Sequence, residues 1–334
     1  MNPIIRIKDL SVGYQDRSEK RMVLSNLNFS VMPGELIGII GQNGIGKSTL
    51  LRTLTRLQQP ISGEILIQDK DITGYNRTDF SQKVSFVSTE IVKLNHCTVY
   101  DLVAFGRSPY TNWFGKFSQK DEKIINEAIE MVGLSSLASR NINQISDGER
   151  QRVMIARTLA QDTDIIVLDE PTAFLDLPNK FEVIHLLSEL TRKKGKTILF
   201  SSHDLTIAMK EADKLWLIMP DKFIDGSPED LVLQHKISDI FKQSRLKFDL
   251  KKGDFSIRRK QVGSCKLTGK GNAFIWTKRA LERLGYDAEI DNGEHSIEVN
   301  ICELSPGFTW ELIQKNNKYL FNSIYDLAYF LKKS

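Results

Sequence analysis

An α/β core followed by a smaller α+β domain is the architecture that the sequence predicts, on three observations. Short apolar runs alternate with segments of helical spacing as far as residue 220. Two of those runs end in phosphate-handling chemistry, one in a glycine-rich turn and the other in a pair of carboxylates. Beyond about residue 245 the grammar changes to alternating strands, close turns and two short helices. A chain of 334 residues also exceeds the roughly 100–200 usual for one domain, so two are expected, over 1–245 and 246–334.

Each element has its own local reason. Ile5, Ile7, Leu10, Val12 and Tyr14 suggest an edge strand, whereas Leu36 to Ile40 is a short run bounded by a glycine turn. Ser48 to Leu57 continues with helical spacing, so strand, turn and helix follow in order. Ser62-Gly63 precedes the alternating Glu64 to Ile67, and Val84 to Val87 is another short strand. Residues 98 to 160 read mostly as a helical insert. After it, the apolar runs Ile165 to Leu168 and Ile198 to Phe200 flank a helical Asn179 to Arg192, the rhythm of a parallel sheet covered on both faces. In the tail, Phe255 to Ile257 and Ser296 to Val299 alternate. Trp310 to Leu312 and Tyr319 to Phe321 flank an Asn316-Asn317 turn, and helices fit Ala273 to Leu284 and Ile324 to Leu331.

Composition narrows the function classes. With 41% hydrophobic and 26% charged residues the chain is no disordered or fibrous protein. It has no uncharged apolar run of about 18 residues, so no membrane span is expected, and Met1-Asn2-Pro3 opens no leader. Cys97, Cys265 and Cys302 form neither a CxxC pair nor an even set, which speaks for a reducing cytoplasm and against disulfides or zinc. The net charge of +4 comes from residues 251–334, with 14 basic and 10 acidic side chains. Lys251-Lys252 and Arg258-Arg259-Lys260 lack interleaved aromatics, so they read as solvated faces and no nucleic-acid partner is expected.

Gly41-Gln42-Asn43-Gly44-Ile45-Gly46-Lys47-Ser48 fits G-x-x-x-x-G-K-[ST], the P-loop. Glycines let the backbone turn its N–H groups inward, so Gly41, Asn43, Gly44, Gly46 and the helix start through Thr49 are candidate phosphate contacts. Lys47 adds a mobile positive charge, and the Ser48 hydroxyl is placed to ligate Mg²⁺. About 120 residues downstream, Ile165 to Leu168 delivers Asp169 and Glu170 at its carboxyl end, where open α/β sheets bind ligands. Asp169 is a candidate for the magnesium shell. Glu170, one residue further out, is a candidate to orient and deprotonate a water for in-line attack on a γ-phosphate.

Between them lies Ile145-Ser146-Asp147-Gly148-Glu149-Arg150-Gln151-Arg152, and with it the combination resembles the ATP-binding cassette (ABC) ATPases, whose signature reads Leu-Ser-Gly-Gly-Gln. Ser146 and Gly148 match, while Ile145, Asp147 and Glu149 depart; Ser146 and Glu149 also spell a capping box for a helix over Arg150 to Leu159. The resemblance covers about residues 4 to 245. It implies a P-loop NTPase core with an antiparallel β edge, a helical subdomain at about 90–160 and ATP with Mg²⁺ as ligands. Residue by residue, it implies that Tyr14 stacks on adenine and that Ala173-Phe174-Leu175-Asp176 is a turn communicating across a dimer. His203, in Ser201-Ser202-His203-Asp204, then reaches the γ-phosphate, and Thr89, followed by Glu90, replaces the usual metal-sensing glutamine.

A chain with one P-loop and one signature is expected, by the same resemblance, to work as a homodimer in which Ser146 and Gly148 complete the partner's site. Thr98 to Tyr110 resembles the segment of iron–siderophore, haem and cobalamin importers that faces the permease. Leu102, Phe105, Tyr110, Trp113 and Phe114 are candidates for an apolar docking patch. The implied protein is an importer ATPase on the cytoplasmic face of the membrane, served by separate permease subunits and indirectly by a substrate-binding protein. Two rival readings are a soluble ABC ATPase acting on nucleic acid or ribosomes, and a nucleotide-gated scaffold with weak hydrolysis. Gly263, Gly269, Lys270 and Gly271 read as a turn, because no G-K-[ST] follows.

Overall fold

The structure, a computed structural model, describes residues 2–15, 20–88, 96–111, 116–241, 246–249, 253–257, 259–288, 295–304 and 307–333. The chain divides into two compact units, Met1–Ile240 and Phe241–Ser334.

In the first unit the order is β1 (Ile5–Gln15), β2 (Lys20–Val31), β3 (Leu36–Gly41), α1 (Lys47–Leu54), β4 (Ser62–Ile67), β5 (Lys70–Asp71), α2 (Arg77–Ser81) and β6 (Val84–Val87). The helical insert follows as α3 (Val99–Ala104), α4 (Gln119–Met131) and α5 (Asp147–Ala160). Then come β7 (Ile165–Leu168), α6 (Leu177–Lys194), β8 (Thr197–Ser202), α7 (Leu205–Glu211), β9 (Lys214–Met219), β10 (Lys222–Gly226), α8 (Pro228–Leu233) and α9 (Lys236–Ile240). A six-stranded sheet runs β10-β9-β3-β8-β7-β6 and is parallel except for β10. Of its inner strands, β7 and β8 are buried at every residue, as the apolar runs Ile165 to Leu168 and Ile198 to Phe200 require.

A four-stranded antiparallel sheet runs β2-β1-β4-β5. The β1 strand is therefore interior to it, with β2 and β4 on its two sides, and is not the edge strand expected from its alternation. Alternation reports which face is buried; it carries no information about what pairs along the two edges. Phe29 of β2 stacks 4.8 Å from Phe223 of β10 and lies 4.1 Å from the fully buried Trp216 of β9, welding the two sheets into one core.

The insert is held by a buried polar knot. Arg107 is 4% exposed, and its Nε donates to Asp121 Oδ1 at 2.8 Å while Nη1 donates to the carbonyl of Ala160 at 2.9 Å. Asp121 also closes the capping box of α4, its Oδ2 accepting from the Ser118 N–H at 2.9 Å. Beside the knot, Gly106 packs so closely on α5 that a Cβ would sit 2.2 Å from the Arg157 carbonyl oxygen. The Gly106-Arg107-Ser108-Pro109 stretch thus has a structural task of its own.

The second unit opens with a hairpin, β11 (Leu246–Asp249) and β12 (Asp254–Ile257). It continues with β13 (Gly263–Thr268), α10 (Gly271–Leu284), β14 (Tyr286–Asp287), β15 (Ile297–Leu304), β16 (Gly307–Gln314), β17 (Asn317–Phe321) and α11 (Ile324–Lys333). These strands form a five-stranded sheet in the order β14-β13-β15-β16-β17. Leu267, Val299 and Leu312 of the sheet share a core with Leu281 of α10 and Leu327 of α11. Trp310 Nε1 donates to Thr277 Oγ1 at 2.7 Å, so that buried indole is satisfied. The β16–β17 turn is Lys315-Asn316, both at positive φ, with Gln314 opposite Asn317: a two-residue primed turn, one residue earlier than expected. Gly269 and Lys270 make the short connection from β13 to α10, which begins at Gly271, while Gly263 opens β13.

Candidate active site

Parallel pairing brings the carboxyl ends of β3, β7 and β8 together, and the loop from β3 into α1 follows from its glycines. Gly44 sits at φ +78° and Gly46 at φ +114°, a region that side chains rarely adopt. At Gly46 a Cβ would also meet Val23 Cγ1 at 2.5 Å, whereas at Gly44 nothing lies within 4 Å. The α1 helix starts with no side-chain cap, which leaves its first-turn amides and the positive end of its dipole to the loop.

Lys47 is 4% exposed, and its Nζ donates to the carbonyls of Gly41 at 2.9 Å and Gln42 at 3.2 Å. Burial pushes its ammonium below the ordinary lysine pKa, while the charges of Glu170 and Asp169 pull it back up. Nζ also lies 3.2 Å from His203 Nδ1. An ammonium can only donate, so Nδ1 accepts; the ring hydrogen is thereby assigned to Nε2, which donates to Glu170 Oε1. Ser48 Oγ donates to Asp169 Oδ1 at 3.0 Å. Leu168 is in register with Phe200, which sets the next residues, Asp169 and Ser201, side by side, and Ser201 Oγ donates to the same Oδ1 at 2.8 Å.

Ser201 is not among the residues that the sequence assigns to the site. The signal was a hydroxyl directly after the buried run Ile198 to Phe200, level with a carboxylate on the neighbouring strand, and only the register reveals that level. Tyr14 is 57% exposed and its hydroxyl lies 3.2 Å from Thr49 Oγ1 on α1, so an aromatic ring stands free beside the loop. The residues present fit a triphosphate with a hard cation. A glycine cradle, an uncapped helix start and a lysine face one side, and a hydroxyl and a carboxylate 3.0 Å apart supply hard oxygens. Among the described residues no group of three or more His, Cys, Asp or Glu could hold a metal ion, and magnesium needs none, since phosphates and waters complete its shell.

Other expected residues lie apart from this group. Ser146 is the exposed N-cap of α5; it accepts from the Glu149 N–H at 3.3 Å, and its own N–H donates to Glu149 Oε2 at 2.8 Å, completing the capping box. Asp147 is offset by Arg150 at 3.1 Å, whereas Arg152 turns to Glu182. Gly148 is buried against Asn179, whose Oδ1 would lie 2.6 Å from an added Cβ. Asp176 caps α6, accepting from the Asn179 N–H at 3.2 Å. Thr89 and Glu90 lie outside the described residues, as do Trp113 and Phe114 of the docking patch. Leu102 does not belong to that patch: it is 1% exposed in the insert's core, while Phe105 at 55% and Tyr110 at 38% do reach the surface. It points inward because α3 turns one face to α5, which the run of apolar letters does not distinguish.

A P-loop and an Asp-Glu strand end meeting over a parallel sheet define a nucleoside triphosphatase. The family model for the ABC transporter matches residues 24–173, and that for the iron ABC transporter C-terminal domain matches 263–332. The achromobactin transport ATP-binding protein CbrD of Dickeya dadantii is 36% identical over 238 residues, which cover 71% of this chain and 87% of that one. The ferric enterobactin transport ATP-binding protein FepC of Escherichia coli is 35% identical over 238 residues, covering 71% and 86%. Among solved structures, the dimeric post-hydrolysis state of the ATP-binding cassette MJ0796 with ADP and Pi superposes with a TM-score of 0.59 at 26% identity, over 67% of this chain and 98% of that one. The chain belongs to the ATP-binding proteins of ABC transporters, and it is an ATPase of that type.

Proposed function

We propose that this ATPase drives import of an iron–siderophore or related metal chelate through separate membrane permease subunits. The observation that carries the catalytic part is the linked triad of Lys47, His203 and Glu170 at the mouth of the P-loop. In this reading Lys47 and the loop amides of Gly41, Asn43, Gly44 and Gly46 grip the phosphates of ATP, with Thr49 behind them and the exposed ring of Tyr14 stacking on adenine. Glu170 orients a water and takes its proton, and the His203 Nε2–H, which in this structure donates to Glu170, is the donor that turns to the γ-phosphate when ATP binds. Ser48 and Asp169 hold magnesium, with Thr89 a further candidate ligand on the family resemblance alone, and the ion when bound neutralises charge developing on the phosphates.

Coupling in this reading is between two copies. Phe174 is 85% exposed at φ +62° and Leu177 is 62% exposed, so the turn ending in Asp176 offers apolar surface to a second chain. Ser146 and Gly148 of that chain then close over the nucleotide, and ATP favours the closed homodimer by binding it better than the open one. Phe105 and Tyr110 offer the insert's apolar contact to the permease. In this reading the chain is a peripheral subunit at the cytoplasmic face of the membrane; among the described residues no helix is long and apolar enough to cross one. The substrate class rests on the relatives' names and on the match of the second unit to the iron ABC transporter C-terminal domain.

The test is Glu170→Gln. Expected are loss of ATP hydrolysis and a dimer trapped by ATP, seen by size-exclusion chromatography with light scattering. A variant that stays monomeric under saturating ATP contradicts the reading.

A further inference from the structure

Ser201 is fully buried at the carboxyl end of β8, and one hydroxyl there serves two residues of the neighbouring strand end. Its O–H donates to Asp169 Oδ1 at 2.8 Å, and its oxygen accepts the main-chain N–H of Glu170 at 2.8 Å. We infer that Ser201 is a positioning residue for ATP hydrolysis, setting the cation-binding carboxylate and the water-activating carboxylate in one fixed relation. The inference rests on the roles proposed above for Asp169 and Glu170.

The reasoning starts from the backbone. Glu170 has φ +49°, a left-handed conformation that a side chain of its size adopts only when its surroundings enforce it. What enforces it includes the hydrogen bond from its own N–H to Ser201, together with the Ala173 N–H donating to the Glu170 carbonyl at 3.0 Å. If the Ser201 oxygen is removed, a buried N–H loses its acceptor, and the cheapest remedy is rotation of the peptide toward another partner. That rotation swings the Glu170 carboxylate away from His203. Asp169 is affected through the other end of the same hydroxyl. Its Oδ1 accepts from both Ser48 and Ser201, so when Ser48 turns to a cation, Ser201 is the donor that keeps the carboxylate in place. A side chain that orients a ligating carboxylate without touching the metal commonly matters about ten- to a hundredfold in affinity or rate.

The experiment compares the full-length wild type with Ser201→Ala and Ser201→Thr. Three quantities are read: binding of a fluorescent ATP analogue in excess EDTA, the magnesium concentration that half-saturates its metal-dependent binding, and kcat. The expected result for Ser201→Ala is metal-free binding within twofold of wild type, a half-saturating magnesium concentration raised about tenfold, and kcat lowered about tenfold or more. Ser201→Thr, which keeps the oxygen, restores both. Unchanged magnesium dependence and kcat in Ser201→Ala overturn the inference. So does a parallel loss of metal-free binding that the threonine also shows, because that marks a merely structural residue. A wild type whose ATP binding and turnover ignore magnesium overturns the parent reading of Ser48 and Asp169 and this inference with it.

Discussion

His203 and Glu170 are joined through Nε2 and Oε1, and the other ring nitrogen of His203 lies 3.2 Å from Lys47 Nζ. An ammonium, an imidazole and a carboxylate are thus strung along one line of hydrogen bonds. Replacing the imidazole by a methyl group, His203→Ala, removes the middle of that line while leaving the loop and its amides intact. The expected outcome is a fall in kcat of about a hundredfold or more with a much smaller change in ATP affinity, as for loss of a preorganised donor at developing charge. Steady-state turnover and equilibrium ATP binding on the same preparation check it.

The two inner glycines of the phosphate loop are expected to respond differently. Gly44→Ala meets no atom within 4 Å and faces only its left-handed φ, a cost of about 1 kcal/mol. Gly46→Ala meets both φ +114° and the Val23 side chain at 2.5 Å, so either Val23 or the loop must give way. ATP affinity should fall at least about tenfold for Gly46→Ala, equivalent to about 1.4 kcal/mol, and by clearly less for Gly44→Ala. Nucleotide titrations of the two variants decide the matter.

Asp121 uses one carboxylate oxygen for Arg107 and the other for the first turn of α4. Asp121→Asn breaks the buried ion pair from one side, which typically costs about 3–5 kcal/mol, so the insert should loosen before the rest of its unit. Hydrogen exchange of α3, α4 and α5 amides is the measurement, with faster exchange expected there and little change in β3, β7 and β8.

Acid should act at the same places. The hydrogen bonds from Ser118, and then Arg107, hold the Asp121 carboxyl below its usual pKa; those from the Ser146 backbone and hydroxyl do the same for Glu149. A carboxylate with a depressed native pKa adds stability above its unfolded value of about 4, and that stability disappears as pH falls through the native value. The caps of α4 and α5 are therefore expected to be intact at pH 6 and to weaken below about pH 4. Exchange of their first-turn amides against pH follows this directly, and Ser146→Ala should mimic it for α5 at neutral pH, at about 1 kcal/mol.

Much of the core was legible in local spacing. Val84 to Val87 and Ile165 to Leu168 are strands at the expected residues, and the Ser146 and Glu149 capping box forms as spelled. What escaped depends on neighbours distant in sequence. Asn26 takes φ +54° in a bulge of β2, where Ser25 and Asn26 together oppose Ser11 of β1, so the alternation that would have announced β2 is broken. Nothing local in Gly106-Arg107-Ser108-Pro109 announces that its arginine is buried, since Asp121 and the Ala160 carbonyl reach it from distant parts of the chain. Leu102 and Phe105 are alike as letters, and only the packing of α3 on α5 separates core from surface. The bridge made by Ser201 exists solely because β7 and β8 are in a particular register.

Lys47 has three N–H bonds and three acceptors around them, the carbonyls of Gly41 and Gln42 and the imidazole of His203. An incoming anion must therefore displace at least one satisfied contact before it gains the lysine. A ligand ending in a sugar or a single weakly charged group has little to offer in exchange, whereas a polyanionic tail has several oxygens to give. The resting side chain is in this sense a sieve for charge density, and selectivity begins with a competition inside the protein before any base is read.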